Sequence, residues 1–211
     1  MPFRLFNGVV VESSPTAGIA ESIAEVEERG VPCGVQLREG RHPEVEEEAA
    51  RLGLTDRLPM PGMTTSPDEL VDSRVPEFEI VAVKDDSGLE TAARVAAGDG
   101  GSLDAFRALY APGMLVAGMS VYLGVVDGEP VTTAIGYQTG REVAIFSVIT
   151  PRDYRRRGYG AAITAHATRA AFDNGADLAW LQTSEMGESV YRRLGFRHVV
   201  MHLMLRRPRP S

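Results

Sequence analysis

The run ITPRDYRRRGYGAAITAHATRAA, ending at Ala171, limits the fold more than any other stretch of the chain. A β-branched segment ends at Thr150, Pro151 stops it, three arginines follow, and an alanine-rich helix starts near Gly158. Such a chain must place a strand and a helix in succession, with a bare, positively charged turn between them. The first N–H groups of a helix have no internal partner, and the helix dipole favours anions there. Glycines at 158 and 160 keep side chains out of the way, so a diphosphate can lie directly on those N–H groups. Arg155, Arg156 and Arg157 add charge and forked donors for phosphate oxygens. Ile163, Ala167 and Ala170 give the helix an apolar face, and Asn174-Gly175 ends it. No Gly-Lys-Ser/Thr follows the glycines, so this is not a Walker loop. A dinucleotide fingerprint would need Gly or Ala where Ile163 stands.

The remaining elements fall into two groups, as suits 211 residues. Residues 6–11 read as a strand. Pro15 opens a helix with Ile19, Ile23 and Val26 on one side and Gly30 at its end. Residues 31–37 read as a second strand. Pro43 opens a second helix bearing Val45, Ala49 and Leu52, and its Glu44, Glu46, Glu47 and Glu48 suit the positive end of the dipole. This is a small N-terminal βαβα extension, expected over residues 1–70. The stretch LPMPGMTTSPDELVDSRVPEF reads as a linker with a boundary near residues 66–76, Met60 and Met63 being apolar filler under a loop.

From Phe78 the order is a strand at 79–83, helices at 88–97 and 102–110, and three strands at 119–126, 130–139 and 142–150. Asp127-Gly128 and Thr139-Gly140 join the three as hairpins. After the phosphate loop and its helix come a strand at 177–182, a helix at 185–194 and a strand at 196–205. These make up a second domain over residues 71–211, with the tail RRPRPS frayed.

A net charge of -7 excludes a general nucleic-acid binder, because phosphate contacts need a basic surface. One cysteine, Cys33, leaves no internal disulfide. The opening apolar run is too short for a secretory leader, and no stretch reaches membrane-spanning length, so the cytoplasm is the expected location. His42, His166, His198 and His202 lack metal-ligand spacing, and no metal is expected.

The run Arg155-Arg156-Arg157-Gly158-Tyr159-Gly160 resembles the pyrophosphate motif of the GNAT superfamily of acyl-CoA-dependent N-acyltransferases, [QR]-x-x-G-x-[GA]. SVITP before it is similar to the family's splayed central strand, whose backbone pairs with the pantetheine arm. Downstream, SEMGESVYRRLGF resembles N-x-x-A-x-x-x-Y-x-x-x-G-F. Tyr191, Gly195 and Phe196 match that pattern, while Ser184 and Gly187 depart from it. The resemblance covers residues 78–205. It implies an α/β (α+β) fold, with a mixed, mostly antiparallel central sheet flanked by helices.

The resemblance also implies direct transfer of the acetyl group of acetyl-CoA to an amine, small molecule or protein, by a monomer or homodimer. The cosubstrate would be held by Ser147, Val148 and Ile149 on the strand, by Arg155, Arg156, Arg157, Gly158, Tyr159, Gly160 and Ala161 at the loop, and by Ser184 and Tyr191. Ser184 is equally a helix N-cap. A backbone N–H near Val148 or Ile149 would serve the oxyanion, and Tyr191 would be the general acid. Glu142, at the start of the strand, is the candidate base acting through water, and equally an exposed carboxylate beside the Gly140 turn. Glu185 and Tyr122 are no better placed. Two other functions stay open: an acyl-CoA sensor without turnover, and an acyltransferase for another acyl group or an O-acceptor.

Overall fold

The structure, a computed structural model, describes residues 8–11, 18–30, 33–98 and 100–208. The expected strand start at Phe6, helix start at Pro15 and strand start at Val31 lie outside the described residues. The chain divides into two compact units. The first comprises Met1–Gly62, Thr183–Glu185 and His198–Ser211, and the second Met63–Gln182 and Met186–Arg197.

The first unit holds β1 (Gly8–Val10), α1 (Ile19–Glu28), β2 (Gly34–Arg38), α2 (Pro43–Arg51), most of β3 (Asp56–Thr65) and nearly all of β9 (Arg197–Arg206). β1 runs parallel to β2, and β2 runs antiparallel to β9, with Val35 opposite Leu205 and Leu37 opposite Leu203. Ile19 and Ile23 of α1 and Val45 and Ala49 of α2 are buried with these strand residues in one core. Their spacing of four puts each pair on one side of its helix.

The second unit holds β4 (Glu79–Ala82), α3 (Asp86–Ala97), α4 (Leu103–Leu109), β5 (Met119–Val126), β6 (Glu129–Thr139), β7 (Glu142–Ile149), α5 (Tyr159–Asp173) and β8 (Leu178–Gln182), with α6 (Glu185–Arg193) after them. Its strands are ordered β8-β7-β6-β5-β4. All neighbours are antiparallel except β7 and β8. Asp85 and Ser102 cap α3 and α4 by accepting from Gly88 N and Ala105 N. Alternation along the strands feeds two cores. Val121, Leu123 and Ile135 pack with α3 and Tyr110, while Tyr122, Ala134, Val143 and Ile145 pack with α5.

The expected mixed, mostly antiparallel sheet with flanking helices is the architecture found. One segment differs. Residues 56–65, expected to begin a linker, form β3, and Met60 and Met63 are buried in that strand rather than under a loop. Pro59 and Pro61 stand two apart, so both missing N–H groups fall on one edge of the strand. The chain passes between units at Gly62 and Met63, not near residue 70. Segment 66–76 is tied within the second unit: Val71 N donates to Leu194 O, and Arg169 donates to Leu70 O. Nor is Arg207 frayed, since it pairs with Glu27 and donates to Leu52 O.

Candidate active site

β7 changes character halfway along. Its first three residues pair with β8, Glu142 with Leu178, Val143 with Ala179 and Ala144 with Trp180, and there the pairing stops. β7 continues to Ile149, so the two parallel strands part. On the other side, β6 sets Ile135 opposite Phe146 and then Thr133 opposite Ile149. Ser147 and Val148 together oppose Ala134, which is a β-bulge. Ser147 has φ 51, a left-handed value that costs a non-glycine residue. The bulge resets the alternation: Ile145 and Val148 pack on the α5 side, Phe146 and Ile149 on the α3 side.

Pro151 ends the strand, and Arg152–Tyr154 make one 3-10 turn. Arg155 Nε donates to Thr150 O at 2.8 Å, and an Arg157 guanidinium N–H donates to Asp153 O at 3.1 Å. The Arg157 guanidinium lies 5.9 Å from the centre of the Tyr154 ring. Gly158, at φ 87, is the N-cap of α5, and no side chain caps that end. The N–H groups of Tyr159, Gly160 and Ala161 therefore lack a helical acceptor. Tyr159 is buried and stacked on Phe78, which fixes the first turn.

The two glycines differ in what demands them. Gly158 needs its backbone freedom, and a Cβ there would press on Val75 Cγ2 at 3.1 Å. A Cβ on Gly160 would meet only Thr150 Oγ1, at an ordinary 3.5 Å. Nothing within the chain requires glycine at 160. Its bareness fits a ligand lying against the helix end.

Tyr191 of α6 is half-buried and edge-to-face with Phe196, their ring centres 6.1 Å apart. It borders the same buried core cluster as Val148 and Ala161. Burial pushes its phenol up to about 12. Gly195 closes α6 at φ 89, and a Cβ there would overlap the Glu69 carbonyl oxygen. That close approach explains the glycine of the Tyr-x-x-x-Gly-Phe run.

Ser147, Val148, Ile149, Arg155, Arg156, Arg157, Gly158, Tyr159, Gly160, Ala161 and Tyr191 all lie in the second unit. Ser184 and Glu185, both exposed, lie in Thr183–Glu185 of the first unit. Glu142 is exposed at the far end of β7. Seven residues at ~3.3 Å each separate it from Ile149 by roughly 20 Å, so the structure does not bring it to the loop. Tyr122 is buried on the α5 side, edge-on to His166. Among the described residues, no group of three or more His, Cys, Asp or Glu is placed to hold a metal. No helix among them is long and apolar enough to cross a membrane.

Sequence reasoning passed over Tyr110. It is 2% exposed, and its hydroxyl reaches Ser147 Oγ at 3.0 Å and Thr133 Oγ1 at 3.4 Å. No spacing rule links a residue after α4 to a strand 37 positions on.

A sheet parted between two parallel strands, beside a bare helix end, is the GNAT fold. Residues 95–196 match the Acetyltransferase (GNAT) family, and the chain carries a GNAT acetyltransferase domain there. Enzymes of this family move an acyl group from acyl-CoA to an acceptor. A GCN5-related N-acetyltransferase from Kribbella flavida is similar over 97% of this chain and 79% of its own, at 26% identity and TM-score 0.69. Two others share the fold at lower identity. A GCN5-related N-acetyltransferase from Sphaerobacter thermophilus has 19% identity and TM-score 0.63, over 92% of this chain and 67% of its own. A GCN5-related N-acetyltransferase-like protein from Streptococcus suis 89/1591 has 15% identity and TM-score 0.66, over 95% of this chain and 79% of its own. No curated protein matches the chain.

Proposed function

We propose that this chain is an N-acetyltransferase of the cytoplasm that moves the acetyl group of acetyl-CoA directly to an amine. The observation that carries the reading is the uncapped start of α5, with a glycine at 160 that no packing demands. The diphosphate would lie on the N–H groups of Tyr159, Gly160 and Ala161, with Arg155, Arg156 and Arg157 around it. The pantetheine arm would take up main-chain groups of Ser147, Val148 and Ile149, along the stretch of β7 that has left β8.

In the chemical step the neutral amine nitrogen forms a bond to the thioester carbon, and the carbon–sulfur bond breaks. A main-chain N–H at Val148 or Ile149 would meet the developing oxyanion. Tyr191 would give its hydroxyl proton to the departing thiolate. A phenol raised to about 12 is fully protonated at neutral pH, as a donor must be. Glu142 is too far along β7 to take the amine proton, which would leave through water.

That missing base favours one rival, a module that binds acyl-CoA without turnover. Thiol release from acetyl-CoA over a panel of amines, beside calorimetry with CoA, separates the two. Turnover with any amine supports the enzyme. Tight CoA binding with no thiol released from any amine makes the chain a sensor. Turnover only with a longer acyl-CoA, or with an alcohol, changes the substrate class and keeps the site.

A further inference from the structure

The bulge in β7 carries an unfavourable backbone angle on a residue other than glycine, and something must hold it. Ser147 stands at φ 51, and neither it nor Val148 has a ladder partner on β6. The ladder to β6 does not fix this angle, which leaves the Ser147 side chain as its tether. That side chain meets Tyr110, whose hydroxyl lies 3.0 Å from Ser147 Oγ. The same hydroxyl is 3.4 Å from Thr133 Oγ1, and Thr133 Oγ1 donates to Tyr122 O at 3.0 Å. The Tyr110 ring is fixed as well. It sits 2% exposed in the core with Leu89, Val121 and Ile135, and its N–H donates to Phe106 O at the end of α4. A chain of three side-chain and main-chain contacts thus runs from β5, through β6 and the end of α4, to the bulge.

We propose that Tyr110 is a positioning residue for acyl transfer: its hydroxyl holds Ser147 in the left-handed conformation that aims the main-chain N–H of Val148 or Ile149 at the thioester carbonyl. This rests on the acetyltransferase reading above. Tyr110 touches no reacting atom and acts only through Ser147.

The test uses a glycine. Glycine holds a positive φ without a tether, so Ser147→Gly should make the Tyr110 hydroxyl dispensable. Four proteins are compared by steady-state thiol release: parent, Tyr110→Phe, Ser147→Gly and the double variant. Tyr110→Phe should lower kcat roughly tenfold, a fraction of the loss when an oxyanion donor is removed outright. The KM for acetyl-CoA should stay within about twofold, because the diphosphate contacts are untouched. Added to Ser147→Gly, the same change should alter kcat by less than about twofold. Ser147→Ala, which cuts the hydrogen bond from the other side, should reproduce the Tyr110→Phe loss. Full kcat in Tyr110→Phe, or an equal tenfold loss with glycine at 147, overturns the inference, the first result meaning that the tyrosine only packs and the second that its hydroxyl acts other than through Ser147. A parent that turns over no amine overturns the acetyltransferase reading instead. Calorimetry then reads Tyr110 alone, since an aimed N–H makes acetyl-CoA bind better than CoA. Loss of that preference in Tyr110→Phe supports the inference, and an unchanged preference overturns it.

Discussion

The two halves of β7 are neighbours in sequence and opposites in structure. From Val143 to Ile145 the strand is buried and paired with β6, and Val143 and Ala144 also pair with β8. From Phe146 to Ile149 every residue is half-buried, one edge has lost its partner, and the other is broken by a bulge. Unpaired main-chain groups are normally a liability that folding avoids. Here they gather at one place, beside a helix end that also lacks partners. The first half spends its hydrogen bonds on the fold, and the second leaves one edge open.

The sharpest way to break this contrast is to cut side chains from each half. Ile145 is 2% exposed, and Ile145→Ala should destabilise by about 2–5 kcal/mol in urea denaturation. Ile149→Ala, at a half-buried position, should cost well under half as much. Equal costs would mean that the second half is ordinary core.

Tyr191 borders the same core cluster as Val148 of the second half, and its change should touch chemistry rather than folding. Tyr191→Phe should lower kcat by ~10²-fold with acetyl-CoA affinity and melting temperature retained. Full turnover would make solvent the proton donor, and joint loss of binding and activity would make Tyr191 a cosubstrate ligand.

Gly160 sharpens the claim that the helix end faces a ligand. Gly160→Val should weaken acetyl-CoA roughly 10–100-fold by calorimetry, the scale of one or two hydrogen bonds to a charged group. Melting should stay near that of the parent, since the first added carbon meets only Thr150 Oγ1. Unchanged affinity in the folded variant removes the basis for the site.

The smallest effect concerns pH. The Tyr191 phenol is raised to about 12, above its ordinary value near 10. The folded protein keeps that proton where the unfolded chain releases it. Below pH ~10 the hydroxyl is neutral in both states and the shift costs nothing, while stability falls as pH rises from ~10 towards about 12. Tyr191→Phe should flatten that part of the stability curve and leave the curve below pH 9 unchanged. A difference near pH 7 would contradict a buried, neutral hydroxyl.

Most of the second unit was legible in the sequence because its signals are local. Strand alternation, the Asp127-Gly128 turn and the glycines at 158 and 175 all act within a few residues. β3 was hidden by Pro59, Pro61 and Gly62, which are read as breakers although two prolines on one edge spare the other. At the candidate site, the loop glycines stood out by their spacing, and Tyr191 by its place in the resembling Tyr-x-x-x-Gly-Phe run. The resemblance named Ser147 as a main-chain contact but not its left-handed angle, because that angle is held by tertiary contact and not by the residue's own preference. Tyr110, the contact in question, is remote in sequence for the same reason. Glu142 looked available only because sequence position does not display the length of an extended strand.

Leu203 and Leu205 complete the core of the first unit, and β9 pairs with β2 along five register positions. During synthesis these residues emerge some 150 positions after Leu54, the previous member of that core. At ~5–20 residues per second, the N-terminal unit waits about 8–30 s for its last strand. Until then β2 offers an open edge, and its valine and leucine have no cover from the far end of the chain. The unit made first is therefore finished last, and a chain cut before residue 197 would leave it permanently incomplete.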